Sequence, residues 1–126
     1  MTSPELPADV RRFVLTSVPS VPYLEALLLL RADPAQAWDA GLLARRLYVP
    51  ERTGAELVAL LGQSTLAVPA GAAGTIRYDP GAELAGLLDR VAQAYASELV
   101  TVTGLIHSRI DRRAQRFADA FRFRKE

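Results

Sequence analysis

The apolar positions of the chain fall into helical spacing from the first residues onward. In "PADVRRFVLTSV", Val10, Phe13 and Val14 share one face and Arg11 and Arg12 the other, which predicts a modest amphipathic helix. "SVPYLEALLLLRADP" predicts a second helix. Ser20 is placed to cap it, and Pro22 lies in the first turn, where no amide hydrogen is required. Its run from Leu27 to Leu30 is apolar nearly all round, so this helix is expected at the centre of the core, ending at Asp33-Pro34. Asp39 can cap a short third helix over about 40–47, with Trp38 and Leu43 in hydrophobic-staple positions. A tight link at Tyr48-Val49 leads to Pro50, which suits the opening of a fourth helix. There Leu57, Leu60 and Leu61 form the expected core-facing stripe, up to about Gly62.

The pattern then changes. "STLAVPAG" and "GTIRYDP" are short segments with β-branched or aromatic residues, joined by the small-residue tip "AGAAG". They predict a two-stranded hairpin, with Pro69 weakening the inner end of its first strand. Asp79-Pro80 reads as an N-cap followed by proline at the first helical position. Leu84, Leu88, Val91, Tyr95, Leu99, Val102 and Ile106 follow at steps of three or four, which predicts one continuous helix over 80–107. Such a helix is about 35–40 Å long at ~1.5 Å per residue, more than a domain of this size covers with its own core. A homodimer through residues 82–107 is therefore expected. Ser108 and Asp111 have capping-box spacing for a final helix with Ile110, Ala114, Phe117 and Phe121 inward and Arg112, Arg113 and Arg116 outward.

Composition limits the classes of protein that fit this pattern. A chain of 126 residues, 50% hydrophobic and 23% charged, suits a single domain with its own core and is too apolar for intrinsic disorder. Cysteine is absent, which removes thiol nucleophiles, thiolate metal sites and disulfides and fits a reducing compartment, with cytoplasm as the expectation. "MTSPELPADV" has no basic stretch followed by an apolar run, and no later segment approaches the roughly 20 apolar residues of a spanning helix. Neither secretion nor integral membrane association is expected. The net charge of +1 hides an asymmetry, because residues 109–126 carry seven Lys/Arg against three Asp/Glu and the remainder eight against eleven. Strong attraction to an acidic partner has to come mainly from the C-terminal segment.

The order of elements over residues 20–79 resembles the winged helix-turn-helix superfamily of transcription regulators. "WDAGLLARRLYVPERTGAELVALLGQSTLAV" carries the resemblance. Leu43, Ala44 and Leu47 look like the packing positions of its second helix, Leu57, Leu60 and Leu61 like those of the recognition helix, and Leu66 like the entry to the wing. The fold class implied is mainly α with a small β-hairpin, to which 80–107 adds a dimerisation-type helix and 108–126 a basic amphipathic tail. By the same resemblance, residues 51–62 enter a major groove of double-stranded DNA and 70–74 touch the flanking backbone or minor groove. With the three leucines inward, the outward ridge is Arg52, Ala55, Glu56, Ala59 and Gln63. Only Arg52 and Gln63 among these are good bidentate partners for purine edges. Arg45, Arg46 and Arg77 are candidate phosphate contacts, so position is expected to outweigh base readout. The competing class is a protein-interaction module, docking through Ala55, Ala59 and the basic tail. The tail itself reads as a DNA-backbone arm, an acidic-protein docking helix or an interfacial membrane helix, against the plainer reading that Phe117, Phe121 and Phe123 pack on the body.

No constellation for catalysis stands out. His107 is the sole histidine, so neither a transition-metal site nor a supported Ser/His/Asp arrangement with Ser97 or Ser108 can be drawn. "GAAG" lacks the Lys and Ser/Thr of a phosphate-binding loop and precedes a strand. The chain is expected to be neither an enzyme nor a holder of a cofactor or metal.

Overall fold

The computed structural model describes residues 6–108, so the expectations for the tail, Arg112, Arg113 and Arg116 included, lie outside the described residues. The described chain is mainly helical, with six α-helices and a two-stranded antiparallel hairpin between the fourth and fifth, the layout of a winged helix-turn-helix. Helix α1 spans Ala8–Ser17 and buries Val10, Phe13 and Val14. Helix α2 spans Val21–Ala32; Ser20 caps it by accepting from the Tyr23 amide, with Pro22 in its first turn. Leu24, Leu27 and Leu30 of α2 are wholly buried and form the centre of the core.

Helix α3, Ala40–Leu47, begins where the Asp39 carboxylate accepts from the Leu42 amide at 2.8 Å, and it buries Leu43 and Ala44. Helix α4 covers Glu51–Gly62. Strands β1, Ala67–Pro69, and β2, Ile76–Tyr78, pair with Val68 opposite Arg77 and Pro69 opposite Ile76. Trp38 adds a further rung that the sequence pattern did not suggest. Its amide donates to the Ile76 carbonyl at 2.8 Å, and its own carbonyl accepts from the Ile76 amide at 2.9 Å. The segment entering α3 is thereby fastened to the wing.

Three expectations are corrected. The core-facing residues of α4 are Gly54, Leu57, Val58 and Leu61, whereas Leu60 is 45% exposed. At about 100° per residue, Leu57 and Val58 flank a buried meridian that runs through Gly54 and Leu61, and Leu60 falls roughly 110° away from it, so the adjacent pair Leu60-Leu61 cannot both face inward. The helix after the wing starts later than Asp79-Pro80 implies. Helix α5 covers Ala82–Ser97 with Gly81 at its N-cap in a left-handed conformation (φ 81°) and no side-chain cap.

The expected continuous helix is also interrupted. Glu98 adopts φ −130° and ψ 48°, and a separate helix α6, Leu99–Ser108, follows. The interruption returns the apolar stripe to the chain's own core: Leu88, Val91, Ala94, Val102 and Ile106 are all buried. Part of the stripe is thus used internally, while Leu84 and Tyr95 are half-buried and Leu99 (50% exposed) and Val100 (82%) lie outside. Two ion pairs fasten α5 to the rest of the domain, Arg31 with Asp89 at 3.0 Å and Arg90 with Asp9. No single described helix is long and apolar enough to cross a membrane.

Candidate nucleic-acid interface

The site is built on the packing of α3 against α4. Gly54 lets the two helices approach: a Cβ there would lie 2.3 Å from the Ala40 carbonyl oxygen and 3.2 Å from the Ala44 Cβ. The motif therefore depends on a glycine inside a helix, where glycine ordinarily costs about 1 kcal/mol relative to alanine. Gly54 stands between Thr53 and Ala55 and is not a position that the apolar pattern marks. The available signal was a helix-weakening residue three positions before Leu57 on the same face.

With Leu57, Val58 and Leu61 turned inward, Arg52, Ala55, Glu56, Ala59 and Gln63 are all exposed, as the outward ridge requires. No element of the described chain covers it. The ridge carries one cation and one anion, hence almost no field of its own. Arg45 and Arg46 end α3, and Arg77 lies on the outward face of β2; all three are exposed. Among the described residues none of Arg45, Arg46, Arg52 and Arg77 is in an ion pair, and neither are Arg11 and Arg12 on α1, whereas Arg31 and Arg90, which face α5 or α1, both are. Arg46 is nonetheless held, its guanidinium carbon lying 5.5 Å from the Trp38 ring centroid, within cation–π range. Arg45 and Glu51 line an open groove of about 260 Å³ beside the turn, together with Gly41, Ala44 and Val49.

The turn between α3 and α4 is tight because Tyr48 takes a left-handed conformation, φ 58° and ψ 45°. Its amide and that of Val49 both donate to the Ala44 carbonyl. The Tyr48 side chain is 95% exposed. On the wing, the tip 70–74 has no cation, and its turn is closed by the Ala70 amide donating to the Thr75 carbonyl and by left-handed Gly71 and Gly74. The predicted site residues thus divide between two neighbouring elements and the hairpin, with the tip contributing shape rather than charge.

Among the described residues no group of three or more His, Cys, Asp or Glu side chains is arranged to hold a metal ion. His107 is exposed on α6. Tyr23, Tyr78 and Tyr95 have hydroxyls pushed above the ordinary tyrosine range, in each case chiefly by burial, and stay protonated at neutral pH. Compared with protein-family models, curated proteins and solved structures, the chain matches none.

Proposed function

We propose that the protein is a winged-helix DNA-binding protein, acting as a transcriptional regulator, that grips duplex DNA mainly by its backbone. The observation that carries this reading is the exposed ridge of α4, which no described element covers; Arg52 on the ridge and Arg45, Arg46 and Arg77 beside it have no ion-pair partner among the described residues. Arg45, Arg46 and Arg77 meet phosphates, while Arg52 and Gln63 are the side chains able to reach base edges. A ridge with one cation and one anion reads little sequence, so affinity follows ionic strength more than base order. Replacing Arg45 and Arg46 together by alanine is expected to weaken binding to random-sequence duplex about tenfold or more at ~0.1 M salt. The slope of log affinity against log salt becomes shallower by nearly two for each protomer engaged. An unchanged slope removes these arginines from the interface.

The proposal includes self-association at the start of α6, where adjacent Leu99 and Val100 stay exposed in a ten-residue helix without a charged side chain. Light scattering at micromolar concentration is expected to give a dimer mass, and Leu99→Glu combined with Val100→Glu a monomer. A monomer mass for the unaltered chain contradicts this part.

One observation favours the second reading, a protein-interaction module. Leu60 is exposed beside Ala59, which gives the end of α4 an apolar flank that phosphate does not require. Under that reading Leu60→Ser abolishes partner binding at little cost to stability; under the first, Leu60→Ser leaves DNA affinity within about twofold.

A further inference from the structure

Tyr48 combines two features that the chain's own stability does not explain. A left-handed backbone at the end of a helix is ordinarily given to glycine or asparagine, because a Cβ crowds the neighbouring carbonyl there. Tyr48 occupies it with φ 58° and is, among the described residues, the only non-glycine at positive φ. An aromatic ring ordinarily stabilises a fold by burying surface. Tyr48 buries almost none, at 95% exposure. The position therefore carries backbone strain without return from packing, and strained backbone of this kind concentrates at functional sites.

Its surroundings give the strain a direction. The left-handed residue sits between the end of α3, with Arg45 and Arg46, and the start of α4, with Arg52, and it lies outside the ridge that enters a groove. With α4 in the groove as proposed, the turn that precedes it borders the sugar–phosphate backbone rather than base edges. A tyrosine suits that contact, since the phenol donates to a phosphate oxygen and the ring lies against deoxyribose.

We propose that Tyr48 is a DNA-backbone contact residue, held in a strained turn so that its ring and hydroxyl reach the strand beside the groove occupied by α4. This rests on the DNA-binding reading above and adds a neutral, salt-independent contact to it. Tyr48→Gly relieves the strain, so the fold is retained and its melting temperature rises by about 2–4 °C. Affinity for random-sequence duplex falls at least fivefold, while the salt slope is unchanged because no cation has been removed. Tyr48→Phe, which keeps the ring and loses the hydroxyl, falls between the two.

Three results separate the possibilities. Tyr48→Gly that binds duplex as tightly as the unaltered chain overturns the contact while leaving the DNA-binding reading intact. A melting temperature lowered by Tyr48→Gly shows that the ring serves the fold and also overturns it. An unaltered chain that fails to bind duplex at low salt overturns both.

Discussion

Gly54→Ala is expected to destabilise the protein by about 2–3 kcal/mol, although alanine is the better helix former by about 1 kcal/mol. The added methyl would lie 2.3 Å from the Ala40 carbonyl oxygen, which is backbone and cannot swing aside. Either α3 and α4 separate, opening the packing of Leu43 and Ala44 against Leu57, Val58 and Leu61, or the start of α3 unwinds. Both change the geometry of the turn as well as stability. For a chain of this length the loss corresponds to a fall in melting temperature on the order of 10 °C. Gly86→Ala is the control. It lies in α5, where a Cβ meets only the far end of the Arg90 side chain at 3.8 Å, and it should stabilise by about 0.5–1 kcal/mol. Thermal denaturation of the two variants side by side tests the close approach: shifts of opposite sign, with the Gly54→Ala loss the larger, support it, and two stabilising shifts contradict it.

Trp38→Ala is expected to cost about 3–5 kcal/mol, a large part of the roughly 5–15 kcal/mol that holds a domain together. Trp38 is 1% exposed, and its backbone makes both hydrogen bonds to Ile76. Truncation leaves a cavity where the entry to α3, the wing and the core meet, and it removes the ring beneath Arg46. Trp38→Phe separates volume from polarity. The indole Nε1 is buried with no hydrogen-bond partner, so losing it relieves an unmet donor and offsets part of the lost packing. Trp38→Phe is therefore expected to cost less than about 1.5 kcal/mol and to retain the hairpin. Chemical denaturation compares the two, and a Phe variant as unstable as the Ala variant contradicts the assignment.

These two residues also show where the sequence was legible. Caps were readable because they are local: Ser20 and Asp39 each needed only an amide three residues on. Alternation between helix and hairpin was readable because the apolar spacing itself changes after Gly62. Trp38 was read as packing, which it is, but its pairing with Ile76 joins residues far apart in sequence and leaves no periodic trace. Leu60 was misassigned because three leucines within five positions look like one face, while Gly54 and Val58 complete the actual face at i, i+3, i+4 and i+7. The break at Glu98 was invisible for a similar reason: the stripe from Leu84 to Ile106 keeps its spacing across it. A bend lets both halves face one core, and periodicity alone does not distinguish a bend from a straight rod.

The candidate site was legible in its parts more than in its balance. The exposure of Arg45, Arg46, Arg52, Gln63 and Arg77 follows from where the apolar residues point. That these arginines lack the carboxylates that hold Arg31 and Arg90 depends on tertiary placement. Tyr48 was read as part of a tight link, but left-handed tyrosine with an unburied ring is a property of the folded turn alone.

Amide chemical-shift mapping during titration with a random-sequence DNA duplex tests the interface most directly, because it reports every segment at once. The account predicts the largest changes at Tyr48, Arg52, Ala55, Glu56 and Ala59, with smaller ones at Arg77 and none on α1. Saturable binding that leaves the amides of α4 and its preceding turn unmoved would contradict it.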